Sequence, residues 1–199
     1  TYPDKTVYPV ASCNDKDFQN LMDVYLDGVF HPSIYREPKI FKQEGWHYEL
    51  PSEDAPLTVN GVVYNEMKGA FSSPESVLER VTSSVLFPDS PYSNESGGDP
   101  AVIPNLSYEQ FIQFHKDYYH PANSYIYLYG DMDMEEKLLW LDKEYLSAYD
   151  KKDFTLDSSI ALQKPFTEPV EKETTYSVTA NEGTEDNTYL SLNTVVGTD

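Results

Sequence analysis

The sequence predicts an α+β fold in which helices pack on one face of a mixed or antiparallel sheet. Three observations predict it. Apolar residues recur at helical spacing in several separate segments, β-branched and aromatic runs lie between them, and Pro or Gly punctuates the joins. With 199 residues, of which 39% are apolar and 14% aromatic, the chain carries enough core-forming material to fold and is not of disordered composition.

Residues 1–12 are rich in Tyr, Val and Thr and read as an extended segment that begins abruptly, as a cut inside an element would. Phe18, Leu21, Met22, Tyr25, Leu26 and Val29 then recur at helical spacing, with Asn14 as the cap and His31-Pro32 as the stop. Residues 38–45 lead into Trp46-His47-Tyr48-Glu49-Leu50, whose composition suits a strand, and 51–56 form a loop. Residues 61–70 read as strand from Val62-Val63-Tyr64, or as helix from the spacing of Val63, Met67 and Ala70; the helix is preferred.

Ser73-Pro74-Glu75 is a helix start: a hydroxyl cap, Pro at the first helical position and an acid in the first turn to meet the dipole. That helix runs to about Phe87-Pro88. Residues 89–104, which contain Ser96-Gly97-Gly98-Asp99-Pro100, exceed what a simple connection needs. There the glycines suit a tight turn and Asp99 a cap for the next segment. Ser107-Tyr108-Glu109-Gln110 fits a capping box, and the helix behind it has an aromatic face until Pro121. Residues 125–129 alternate as a short strand, Gly130-Asp131 turns, and 135–149 form another amphipathic helix. Periodicity is lost over 150–175, where Lys, Asp, Ser, Pro and Glu dominate as in a linker. Residues 176–180 and 188–196 are strand-like, with a polar turn over 181–187.

Composition narrows the function. A net charge of −20, from 34 acidic and 14 basic residues, repels a phosphate backbone, so no nucleic-acid partner is expected. No run approaches the roughly 20 apolar residues of a membrane span, and no membrane partner is expected. The single cysteine, Cys13, rules out an internal disulfide framework and suits a reducing compartment; the cytoplasm, or alternatively an organelle matrix, is the expected location.

The four histidines, His31, His47, His115 and His120, supply no convergent metal set. His115 and His120 are five apart and point in different directions on one helix, which makes helix-end or aromatic-cluster roles the simpler reading. Phosphate loops, Cys-x-x-Cys, His-Glu-x-x-His and Gly-x-Ser-x-Gly are all missing from this sequence.

One set of segments does carry a functional signal. Gly61-Val62-Val63-Tyr64-Asn65-Glu66-Met67-Lys68-Gly69 resembles the segment that bears the distal zinc-binding glutamate in zinc metallopeptidases of the pitrilysin/insulinase superfamily (M16), in the presequence-protease-like branch. Tyr2-Pro3-Asp4, Tyr8-Pro9-Val10-Ala11-Ser12, Gln43-Glu44-Gly45-Trp46, Ser96-Gly97-Gly98-Asp99-Pro100, Phe114-His115, Tyr119-His120-Pro121-Ala122-Asn123 and Gly130-Asp131 follow the same family in order. The resemblance covers about three quarters of the chain.

The resemblance implies a partial pitrilysin-type domain in which Glu66 is the third protein ligand to zinc. The family's other two ligands and its general base come from an inverted His-x-x-Glu-His motif, which does not occur here. The expected function is therefore a portion of a zinc-dependent endopeptidase that degrades unstructured oligopeptides, inactive as this chain alone. The alternative is a non-catalytic structural or peptide-binding member of the superfamily. The implied organisation is the C-terminal part of the first, catalytic domain over 1–150, a linker over 151–175 and the first strands of the following domain over 176–199. Expected partners are a peptide substrate, the remaining domains of the parent polypeptide and, through an unpaired sheet edge, further copies of the chain.

Overall fold

A computed structural model of the chain describes residues 1–181 and 183–196. In chain order its main elements are α1 (Asp15–Phe30), α2 (Pro38–Ile40), β1 (His47–Glu49), β2 (Thr58–Asn60), α3 (Val62–Ala70), α4 (Pro74–Leu86), α5 (Tyr108–Tyr118) and α6 (Met134–Leu141). The fold class is α+β, helix-rich with a two-stranded antiparallel sheet.

The helix starts follow their local chemistry. Asn14 keeps extended dihedrals and its side-chain oxygen accepts from the Asp17 N–H at 3.0 Å, opening α1. Ser73 caps α4, with Pro74 at the first position, where its missing N–H costs nothing. At α5 both halves of the capping box form: Ser107 Oγ accepts from Gln110 N at 3.2 Å, and Gln110 Oε1 accepts from Ser107 N at 2.8 Å. The preferred helical reading of residues 61–70 is the observed one.

The strands depart further from expectation. β1 lies within the predicted 46–50 segment, and it pairs with β2 through His47 with Asn60, Tyr48 with Val59 and Glu49 with Thr58. β2 was not anticipated. Conversely, residues 1–12, 125–129, 176–180 and 188–196 carry no strand. Their composition favours extended backbone, but composition alone does not make a strand, which needs a ladder of main-chain bonds with a neighbouring segment. Glu182, in the expected 181–187 turn, and residues 197–199 lie outside the described residues. The helix expected over 135–149 is also divided: α6 ends at Leu141 and a wider turn, Asp142–Leu146, continues it, closed by Ser147 N donating to Asp142 O at 2.8 Å.

Two compact units are present. One comprises Thr1–Val7, Lys42–Asn105 and the chain from Ile160 onward; the other comprises Tyr8–Phe41 and Leu106–Ser159. In the first, Met67, Val77 and Ile103 are buried. In the second, Met22, Phe30, Leu141 and Tyr145 are buried. Within that second unit the Tyr145 hydroxyl donates to Asp23 O and Asp23 Oδ1 at 2.9 and 2.6 Å, tying the turn after α6 to α1. His31 stacks on the Tyr145 ring with centroids 5.7 Å apart.

Candidate functional site

Glu66 is placed by a short stretch of backbone in the first unit. β2 ends at Asn60, whose side chain works as a fork: its Oδ1 accepts from Gly61 N at 2.8 Å and Asn65 Nδ2 at 2.6 Å, while its Nδ2 donates to Glu49 Oε2 at 2.8 Å. Strand end and helix start are thereby bonded through one residue. Gly61 then takes φ 155°, and a Cβ there would stand 2.2 Å from Gly45 O and 2.7 Å from Trp46 Cα. Only glycine allows that approach.

α3 comes next, and its orientation is set by Met67, which is 8% exposed. Successive helical side chains are about 100° apart, so burying Met67 turns Glu66 outward. Glu66 is exposed, and its side chain takes part in no hydrogen bond or ion pair among the described residues. Its carboxylate is thus available as a donor.

The 89–104 loop packs beneath. Gly97 lies so close to Met67 that a Cβ on it would meet Met67 Sδ at 2.2 Å, and Gly98 turns with φ 91° above Ile103. Asp99 Oδ1 accepts from Ala101 N at 2.8 Å, while its main-chain oxygen accepts from Val102 N and Ile103 N, each at 2.8 Å. Its other carboxylate oxygen faces Arg80 Nη1 at 3.4 Å. The Arg80 guanidinium in turn lies 3.9 Å from the Phe71 ring centroid. Here the glycines do make the turn, and Asp99 does cap the turn behind it. An open groove of about 490 Å³ runs beside this pair, lined in part by Ser84, Asn94 and Glu95.

The histidines have structural roles. His115 Nε2 donates to Val29 O at 2.8 Å; because a carbonyl only accepts, Nδ1 is the acceptor for the Tyr35 hydroxyl at 2.7 Å. Burial lowers the His115 pKa from 6.5, partly opposed by the bond to Val29. His31 closes α1, His120 Nδ1 accepts from Ala122 N at 3.1 Å, and His47 Nδ1 donates to Lys42 O at 2.7 Å. Among the described residues no group of three His, Cys, Asp or Glu side chains is placed to hold a metal ion. Glu66 fits as a single oxygen donor, and the described residues do not complete a zinc site around it.

Asn60 and Arg80 escaped the reading of the sequence. The Asn60-Gly61 dipeptide is a turn signal that could have pointed to the first. Nothing local marks Arg80, because its partners Phe71 and Asp99 come together only in three dimensions.

The family profile described as the peptidase M16 inactive domain matches residues 105–198. The chain is 53% identical over 197 residues to protein HypA of Clostridium perfringens, covering 99% of this chain and 20% of that protein. It is 51% identical over 172 residues to presequence protease 1, chloroplastic/mitochondrial, of Arabidopsis thaliana, covering 85% of this chain and 16% of that protein. With the mitochondrial presequence protease of Drosophila melanogaster it shares 44% identity over 173 residues, again 85% of this chain and 16% of the relative. The chain thus spans about a fifth or less of the length of these relatives. A match across 85–99% of this chain at 44–53% identity means that this chain belongs to the M16 peptidase family, on its presequence-protease-like branch.

Proposed function

We propose that the chain is part of a zinc-dependent metalloendopeptidase that degrades unstructured oligopeptides, with Glu66 as one of three protein ligands to the metal. The observation that carries the reading is an unpaired, outward carboxylate on a helix whose entry and inner face are both fixed by glycine contacts. A helix held this firmly suits a ligand that must be presented at a set position. Zinc, when bound, would lower the pKa of a coordinated water and polarise the peptide carbonyl. Within this chain Glu66 supplies one negative oxygen donor. The two remaining ligands and the general base belong to a part of the longer polypeptide outside this sequence, so this chain alone is inactive.

The same reading divides the sequence into the end of a catalytic domain over 1–150, a linker over 151–175 and the start of a following domain over 176–199. Its partners are a peptide substrate and the remaining domains of the polypeptide. Self-association of the isolated chain is supported by Tyr125, Tyr127 and Tyr129, which are 103%, 84% and 83% exposed in a segment with strand composition. Sedimentation velocity would show a concentration-dependent increase in sedimentation coefficient; a single monomer boundary up to about 100 μM would refute it. No helix is long and apolar enough to cross a membrane among the described residues. The location proposed is the cytoplasm or, as the names of the plant and insect relatives state for those proteins, an organelle.

The second reading, a non-catalytic member of the family, is favoured by one observation: the profile matched over 105–198 is described as an inactive domain. That match leaves out Glu66. The two readings separate in the full-length polypeptide, by comparing cleavage of a quenched fluorescent peptide and zinc content in the wild type and in Glu66→Gln. The peptidase reading expects chelator-sensitive cleavage by the wild type, and at least a tenfold loss of both zinc affinity and activity in the variant. Equal zinc content and equal cleavage in the two proteins would remove Glu66 from the site, and a wild type that neither binds zinc nor cleaves would support the non-catalytic member.

A further inference from the structure

We infer that the loop over residues 89–104 positions Glu66, through a glycine-to-methionine contact between Gly97 and Met67; this rests on the reading of Glu66 as a metal ligand. Met67 follows Glu66 directly on α3 and is the buried residue of that helix. Its sulfur occupies the space where a side chain at Gly97 would begin, 2.2 Å from the Cβ position, with Met67 Cε at 2.9 Å and Cγ at 3.3 Å. The absence of a side chain at residue 97 therefore creates the socket for Met67.

The socket is itself braced. Gly98 turns with φ 91°, and its Cβ position lies 3.2 Å from Ile103 Cγ1, a residue 5% exposed, so the loop rests on buried apolar surface. Asp99 gathers three main-chain N–H groups of the following turn and faces Arg80 of α4, whose guanidinium also covers Phe71 at the end of α3. Arg80 thus links the loop to the end of the helix that the loop grips.

Two points now fix α3 against rotation about its own axis. At its start, Gly61 lies against the Gly45 carbonyl, and in its second turn Met67 sits in the Gly97 socket. A Glu carboxylate stands about 6 Å from the helix axis, so a roll of about 10° carries it about 1 Å. Displacements of that size are large against the tolerance of a metal–oxygen bond, about 0.2 Å, and are enough to disable a site. Gly97, Met67 and the Arg80–Asp99 brace are accordingly positioning residues, acting through Glu66.

The test is a double-mutant cycle in the full-length polypeptide, with metal affinity as the readout: competitive zinc titration, and the visible absorption spectrum of the cobalt-substituted protein. Gly97→Ala drives a methyl into Met67, and Met67→Ala removes the knob; each is expected to weaken zinc at least tenfold and to alter the cobalt spectrum, with far-UV circular dichroism unchanged. The Gly97→Ala/Met67→Ala double variant gives the new methyl the vacated space and is expected to recover most of the loss. If Gly97→Ala does not fold, the Met67→Ala loss and its recovery in the double variant decide the matter. Zinc affinity within twofold of wild type in the single variants, or no recovery in the double variant, overturns the positioning role while Glu66→Gln still loses zinc. Should Glu66→Gln itself keep full zinc affinity, the ligand reading underneath fails instead.

Discussion

Gly61, just before α3, and Gly69, in its last turn, give a paired prediction of opposite sign. At Gly61 an alanine methyl would lie 2.2 Å from Gly45 O, 2.7 Å from Gly45 C and 2.7 Å from Trp46 Cα, all backbone atoms that cannot swing aside. Relieving that overlap costs about 1–3 kcal/mol or more, and holding a non-glycine residue at φ 155° adds about 1–3 kcal/mol. At Gly69 nothing lies within 4 Å of the Cβ position. Alanine there removes the entropic penalty of a helical glycine and stabilises by about 0.5–1 kcal/mol.

The difference, about 3 kcal/mol or more, is large against a domain stability of about 5–15 kcal/mol. Trp46 lies in the same unit as α3, whereas Trp140 lies in the other, so the assay is urea unfolding followed by Trp46 fluorescence in a Trp140→Phe background. With a denaturant slope of about 1–3 kcal/mol per molar, the Gly61→Ala midpoint should fall at least about 1 M below that of Gly69→Ala. Midpoints within about 0.3 M of each other, or a higher one for Gly61→Ala, would refute the close-approach argument.

The second unit supplies two more outcomes. Tyr145→Phe deletes the hydroxyl that bonds Asp23 O and Asp23 Oδ1 and should lower stability by about 1–3 kcal/mol, read from Trp140 fluorescence, whose ring centroid is 5.5 Å from that of Tyr145; an unchanged urea midpoint would count against the pairing. His115 has its pKa lowered from 6.5, chiefly by burial, so below pH 6.5 the unfolded chain takes up a proton that the native ring resists. Stability of this unit should therefore be fully present above about pH 6.5 and fall as pH drops from there toward the folded-state value. His115→Gln should flatten that slope, and an identical pH profile in the two proteins would exclude His115 as its source.

The sequence alone determined where the capped helices start. Asn14, Ser73 and the Ser107–Gln110 box start helices where they stand because each cap bonds an N–H only three positions ahead. The glutamate-bearing segment was legible in the same way, as a run of adjacent residues resembling a family signature. Tertiary structure decided what depends on partners far along the chain. Val59 and its neighbours became a strand because β1 lay alongside, whereas residues 125–129, with better strand composition, had no partner to pair with within the described residues. The turn-and-glycine geometry at Asn60-Gly61 acquired its meaning from Gly45, and Gly97 from Met67. A missing side chain leaves no local mark of the group that will occupy its space; packing supplies the occupant, and with it the direction in which Glu66 points.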